Sequence, residues 1–148
     1  MFCLFVCLYF TWLFRKLWWL DEGGGGTPAK LGQAQMDGSN PKILLRDLQS
    51  PSSLTYNRQK LYFTVKTDPA QVDVYDLNLS EQRTFLNEEE NVWRPSSLRV
   101  FGDRLLFVDP RFEAVVAVGL KNRERTVLAK NEASLGALAV IEDRDSGK

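Results

Sequence analysis

The chain has 148 residues, in which Lys plus Arg and Asp plus Glu each number 19, so the formal net charge is zero. That length allows one domain of ordinary size, and a hydrophobic content of 44% with 26% charged residues is that of a globular protein rather than a disordered one. Balanced charge argues against a general nucleic-acid binder, the absence of His removes the commonest metal ligand and general base, and Cys3 and Cys7 leave all later residues without a disulfide or thiolate metal site.

Residues 1–14 carry no charged side chain. The basic flank and small-residue cleavage site of a secretory signal are both missing. The stretch is short for a membrane span unless Leu17 to Leu20 extend it across Arg15 and Lys16. A repeat offers another reading. Phe10 precedes Leu17 by seven residues, as Leu54 precedes Leu61 and Leu98 precedes Leu105. Residues 8–13 then form the innermost strand of a first repeat unit. A strand, a targeting or anchoring segment and a plain extension all stay open.

Leu17-Trp18-Trp19-Leu20-Asp21 is short, aromatic and followed by turn formers, so it reads as a buried strand. Leu61-Tyr62-Phe63-Thr64-Val65 and Leu105-Leu106-Phe107-Val108-Asp109 follow at successive intervals of 44 residues. A period of about 40–45 residues with strand-like segments marks β-propeller blades. Gly23 to Gly26 form a loop; no Lys-Ser/Thr follows, so a phosphate loop is a poor match. Leu31 to Met36 reads as a third strand, Asp37-Gly38 as a hairpin turn and Ile43 to Leu45 as an outer strand.

The second unit runs from Pro51 to Leu86. Val72, Val74 and Leu77 alternate partly with Asp73, Tyr75 and Asp76, which predicts a half-buried strand. Glu88 to Glu90 read as a solvated acidic loop. Trp93, in the same connection, is the candidate ligand-contact residue. The third unit runs from Pro95 to Leu128, and Val115 to Val118 read as a strand covered on both faces. Pro51-Ser52-Ser53-Leu54 recurs as Pro95-Ser96-Ser97-Leu98, with a degraded copy at Leu135-Gly136-Ala137-Leu138. Leu135 to Ile141 start a further unit, and residues 142–148 read as a charged linker or tail. The expected fold is therefore all-β: about three four-stranded antiparallel blades of a propeller over residues 15–141.

Trp18-Trp19-Leu20-Asp21, the Gly/Pro loop, Asp37-Gly38-Ser39 and the proline-led start of each next unit resemble the low-density lipoprotein receptor class B, or YWTD, repeat. The resemblance covers about residues 17–141 and departs in later units, where Val65 replaces the signature Asp and only Asp109 of the third tetrapeptide is kept. It implies half of a six-bladed ring and a piece of a longer receptor of the low-density lipoprotein receptor-related family. It also implies a structural role for Trp18, Trp19, Asp21, Tyr62, Phe63, Phe107 and Asp109, the aspartates hydrogen-bonding within and between blades and the aromatics packing in the core.

The function so implied is a non-enzymatic module of an extracellular receptor, serving endocytic uptake or Wnt co-reception. It would bind a protein ligand through its loops, beside neighbouring blades and an EGF-like module, with the membrane reached through the parent chain or the leader. No catalytic residue, metal or cofactor is expected. The carboxylate pairs Asp73 with Asp76 and Asp143 with Asp145 lack a neighbouring base or nucleophile. A lactonase-type propeller hydrolase with carboxylate-held metal is the alternative; another is a small membrane-anchored half-propeller that dimerises. Asn78-Leu79-Ser80 supplies a glycosylation sequon in an outer turn.

Overall fold

The structure, a computed structural model, describes residues 16–67, 70–87, 95–110, 112–130, 135 and 138–140, and the backbone alone of 7–11. Among these, twelve strands fall into three four-stranded antiparallel sheets, each laid out in chain order. Blade 1 holds β1 (Cys7–Thr11), β2 (Lys16–Asp21), β3 (Ala29–Gln35) and β4 (Lys42–Leu48). Blade 2 holds β5 (Pro51–Asn57), β6 (Lys60–Val65), β7 (Gln71–Asp76) and β8 (Glu81–Leu86). Blade 3 holds β9 (Ser96–Phe101), β10 (Arg104–Asp109), β11 (Ala114–Gly119) and β12 (Arg125–Lys130). Each repeated apolar stretch is the second strand of its blade, flanked on both sides by partners.

Turn chemistry sets the registers. Arg58 and Gln59 join β5 to β6 with φ of 45° and 66°, the left-handed pair that a two-residue hairpin needs. Gly102-Asp103 makes the equivalent turn in blade 3, with Gly102 at φ 59°. The amides of Leu77 and Leu120 donate to the carbonyls of Gln59 and Asp103, at 2.9 and 2.8 Å, which ties inner and outer turns together in both blades. Blade 1 departs from this pattern. Its pairing sets Phe10 opposite Leu17, whereas Leu54, its counterpart at 44 residues, lies opposite Phe63. The slip is two residues, so alternation keeps each position on its face.

Pro-Ser-Ser-Leu has a structural meaning. Between Pro51 and Leu54 the register shifts, with Ser52 and Ser53 set against Thr64. The Ser52 and Thr64 hydroxyls lie 2.7 Å apart, and the Ser53 amide donates to Thr64 Oγ1 at 2.9 Å. That bulge frees Ser53 Oγ to accept the Leu98 amide of blade 3 at 2.8 Å. Ser97, the second serine of the next copy, accepts the Leu138 amide at 3.1 Å. The repeat thus encodes a hydroxyl latch from each motif to the leucine of the following one. No strand is assigned at Leu135 or at residues 138–140.

Blades pack face to face through two cores. Trp18, Leu20 and Leu31 of blade 1 meet Leu54, Leu61, Phe63, Val65 and Tyr75 of blade 2. Tyr62, Val72, Val74, Phe85 and Leu86 on the other side of blade 2 meet Leu98, Leu105, Phe107, Val116 and Val118 of blade 3. The middle blade is therefore covered on both sides. This corrects the expectation of a half-buried β7: Val72, Asp73, Val74 and Tyr75 are all buried, because a blade stands on each side of that strand.

Candidate functional site

Five of the seven predicted motif residues, Trp18, Tyr62, Phe63, Phe107 and Asp109, are buried. Trp18, Phe63 and Phe107 are among the largest fully buried side chains, and Tyr62 is buried with its ring edge-on to Phe85, centroids 5.1 Å apart. Trp18 stacks on Tyr56 of blade 2 at 5.1 Å and 11°, and its indole N–H donates to Gln33 Oε1 at 3.2 Å. Trp19 differs from the expectation of a core aromatic. Alternation sends it to the opposite face of β2, where it is half-buried over Gly32. A Cβ on Gly32 would come within 2.3 Å of that ring.

The two signature aspartates hold their blades in different ways. Asp21 accepts the Gly23 amide at 2.9 Å and pairs with Lys30 at 3.0 Å, anchoring the glycine loop to β3. Those contacts, the amide first, hold its carboxyl below the ordinary value. Gly23 itself has φ 74°, and a Cβ there would strike the Thr27 carbonyl at 2.4 Å. Asp109 is fully buried and lies 3.3 Å from Arg125 Nη2 on the outer strand of its own blade. The hydrogen bonds described for both aspartates are thus within blades.

Asp73 and Asp76 are held by separate sets of partners. Asp76 meets Lys60 at 3.3 Å and accepts the amides of Asn78 and Leu79. Asp73 is buried, accepting from Gln71 Nε2 at 2.8 Å and Gln82 Nε2 at 2.7 Å. Burial raises its carboxyl above the ordinary value, opposed by hydrogen bonds from Gln82, Thr84 and Gln71. A raised folded value makes this group cost stability as pH climbs from the unfolded value through the folded one. Asp73→Asn, whose neighbouring amides can rotate to accept its NH2, should therefore gain melting temperature over the native chain as pH rises above the ordinary carboxylate value of about 4. A melting-temperature difference independent of pH would contradict it.

Antiparallel order gives the blades two different ends. One end carries the β2–β3 loops and the connections from one blade to the next. Phe112 is exposed there, on the β10–β11 loop, beneath Arg125 at 5.4 Å. Trp93, Glu88 to Glu90, Asp143 and Asp145 lie outside the described residues. The other end carries, among the described residues, the β3–β4, β5–β6, β7–β8, β9–β10 and β11–β12 turns. Asn78 is exposed in the β7–β8 turn of that end. A cleft of about 160 Å3 opens at the same end between blades 1 and 2. Trp18, Leu44 and Leu77 supply its apolar wall, while Lys16, Lys42, Gln59 and Ser80 supply polar groups. Sequence reasoning missed this cleft, although the basic residues opening the central strands, Lys16, Lys60 and Arg104, recur at the same 44-residue interval. Among the described residues no three His, Cys, Asp or Glu side chains converge, and no helix is long and apolar enough to cross a membrane.

No family model matches the chain. Among solved structures it is similar to the nidogen/laminin complex, at 18% identity and a TM-score of 0.66, over 80% of this chain and 44% of that one. It is also similar to an S. cerevisiae Dbp5 variant bound to Nup159, a Gle1 variant, IP6 and ADP. That match has 13% identity and a TM-score of 0.60, over 84% of this chain and 33% of that one. The N-terminal domain of Nup159 matches at 11% identity and a TM-score of 0.52, over 85% of this chain and 29% of that one. The chain spans less than half the length of each. What the likenesses show is the fold. It is a partial β-propeller.

Proposed function

We propose that the chain is a non-enzymatic protein-binding module, part of an extracellular receptor of the low-density lipoprotein receptor-related type. The observation that supports this reading best is the set of three packed blades, whose motif side chains are engaged in packing and pairing. Binding then falls to the loops; in the nidogen/laminin complex a chain of similar fold is seen with a protein partner. The loop end, with its glycine loop and exposed Phe112, is the surface we assign to the ligand.

Asn78 provides the test of compartment. It is exposed, in a turn whose amides are held by Asp76, so a glycan there meets no packed strand. Expressed in a secretory host, the protein should show a glycosidase-sensitive gel shift that Asn78→Gln abolishes. Recovery of the natural protein from cytosol without glycan would overturn the receptor assignment.

A further inference from the structure

The basic residue that opens each central strand has a different fate in each blade. Lys60 stands opposite Asp76 and pairs with it at 3.3 Å. Arg104 stands opposite Gly119, and its Nη1 donates to Thr126 Oγ1 at 3.4 Å. Lys16 stands opposite Gln35, which brings no charge. Among the described residues no carboxylate pairs with Lys16 or Lys42, and both line the cleft between blades 1 and 2. No acidic side chain among those residues lines it. Asp76, just before the turn that forms its rim, is already held by Lys60 and two turn amides.

Two ammonium groups, the Gln59 amide and the Ser80 hydroxyl make a donor-rich recess, which suits an oxyanion. Its volume of about 160 Å3 is far below the roughly 300–1,000 Å3 of pockets that take drug-sized ligands. It has room for one acidic side chain. Around it the turns of the same end expose apolar groups, Met36 at 42% and Leu79 at 66%. A charged recess with an apolar surround matches a peptide that alternates acidic and apolar residues.

We propose that this cleft receives an aspartate or glutamate side chain from an acidic-apolar segment of a protein partner. The inference rests on the protein-binding reading only for the kind of molecule that carries the carboxylate. It concerns the end of the blades opposite the loops, so the two fail separately: loop-end binding is unaffected by substitutions in the cleft.

The test is a titration of the full chain, made without glycan because Asn78 sits between the rim residues Leu77 and Ser80. The probes are acetyl-Leu-Glu-Leu-amide, its Gln counterpart and inorganic phosphate, followed by amide chemical shifts. The Glu peptide should shift Lys42, Gln59 and residues 77–80. Affinity should fall about threefold in Lys16→Gln and in Lys42→Gln and about tenfold in the double variant. Lys16→Arg should retain binding, and Lys121→Gln, on the outer turn of blade 3, should change nothing. Equal binding of the Gln peptide, shifts centred elsewhere, no response to the lysine substitutions, or binding of phosphate without the peptide would each overturn the proposal.

Discussion

Trp18→Ala should destabilise the chain by about 3–5 kcal/mol in urea denaturation. The indole is only 2% exposed and stands at the junction of two blades. Truncation removes its stack on Tyr56 and leaves a cavity against Leu54, Leu61 and Phe63. It also strips Gln33 Oε1 of its donor. The effect is one of coupling as much as burial, since these contacts join blade 1 to blade 2. Trp18→Phe keeps a stacking ring and should fall between native and Ala. Trp19→Ala is the control: the same residue type, one position along, lies half-buried on the other face. Its cost should be clearly smaller. Equal losses for the two tryptophans would contradict the register of β2 against its neighbours.

Asp109→Ala should cost about 3 kcal/mol, whereas Asp21→Ala should cost about 1 kcal/mol. The two residues hold the same place in the sequence motif, so motif membership alone predicts equal effects. Burial separates them. Asp109 is wholly enclosed, and its loss leaves Arg125, with 27% side-chain exposure and a buried Nε that lacks a hydrogen-bond partner, without its ion-pair carboxylate. Asp21 and Lys30 are 17% and 25% exposed, so water takes up part of what the pair loses. Asp109→Asn should recover part of the loss by keeping a hydrogen-bond acceptor. Equilibrium denaturation of the three variants checks the order.

The three central strands were legible because their contacts repeat: β2, β6 and β10 each lie between two partners, so each needs the same apolar run at the same interval. The outer halves of the blades drift. Gln35, Asp76 and Gly119 occupy equivalent places at the ends of β3, β7 and β11, yet stand 41 and 43 residues apart because the β2–β3 loops differ in length. A fixed interval of 44 therefore hides that Asp76 has no counterpart opposite Lys16. Residue type alone points Trp19 to the core, although strand alternation sets adjacent side chains on opposite faces. The serine latch was visible only as a repeated tetrapeptide. Its bonds bridge 45 and 41 residues, and nothing local in the sequence states what the hydroxyl meets.

The Ser53 hydroxyl latches blade 2 to the Leu98 amide of blade 3, and amide-detected NMR of the full chain observes that latch itself. The predicted result is a nuclear Overhauser contact from the Leu98 amide to the Ser53 β-protons, with slow exchange of that amide. Cross-strand contacts should accompany it between Phe107 and Val116 and between Phe63 and Asp73. In Ser53→Ala the Leu98 amide should exchange faster while those cross-strand contacts persist. Cross-strand contacts without any between Ser53 and Leu98 would contradict the latch, and helical shifts across residues 60–109 would contradict the blades themselves.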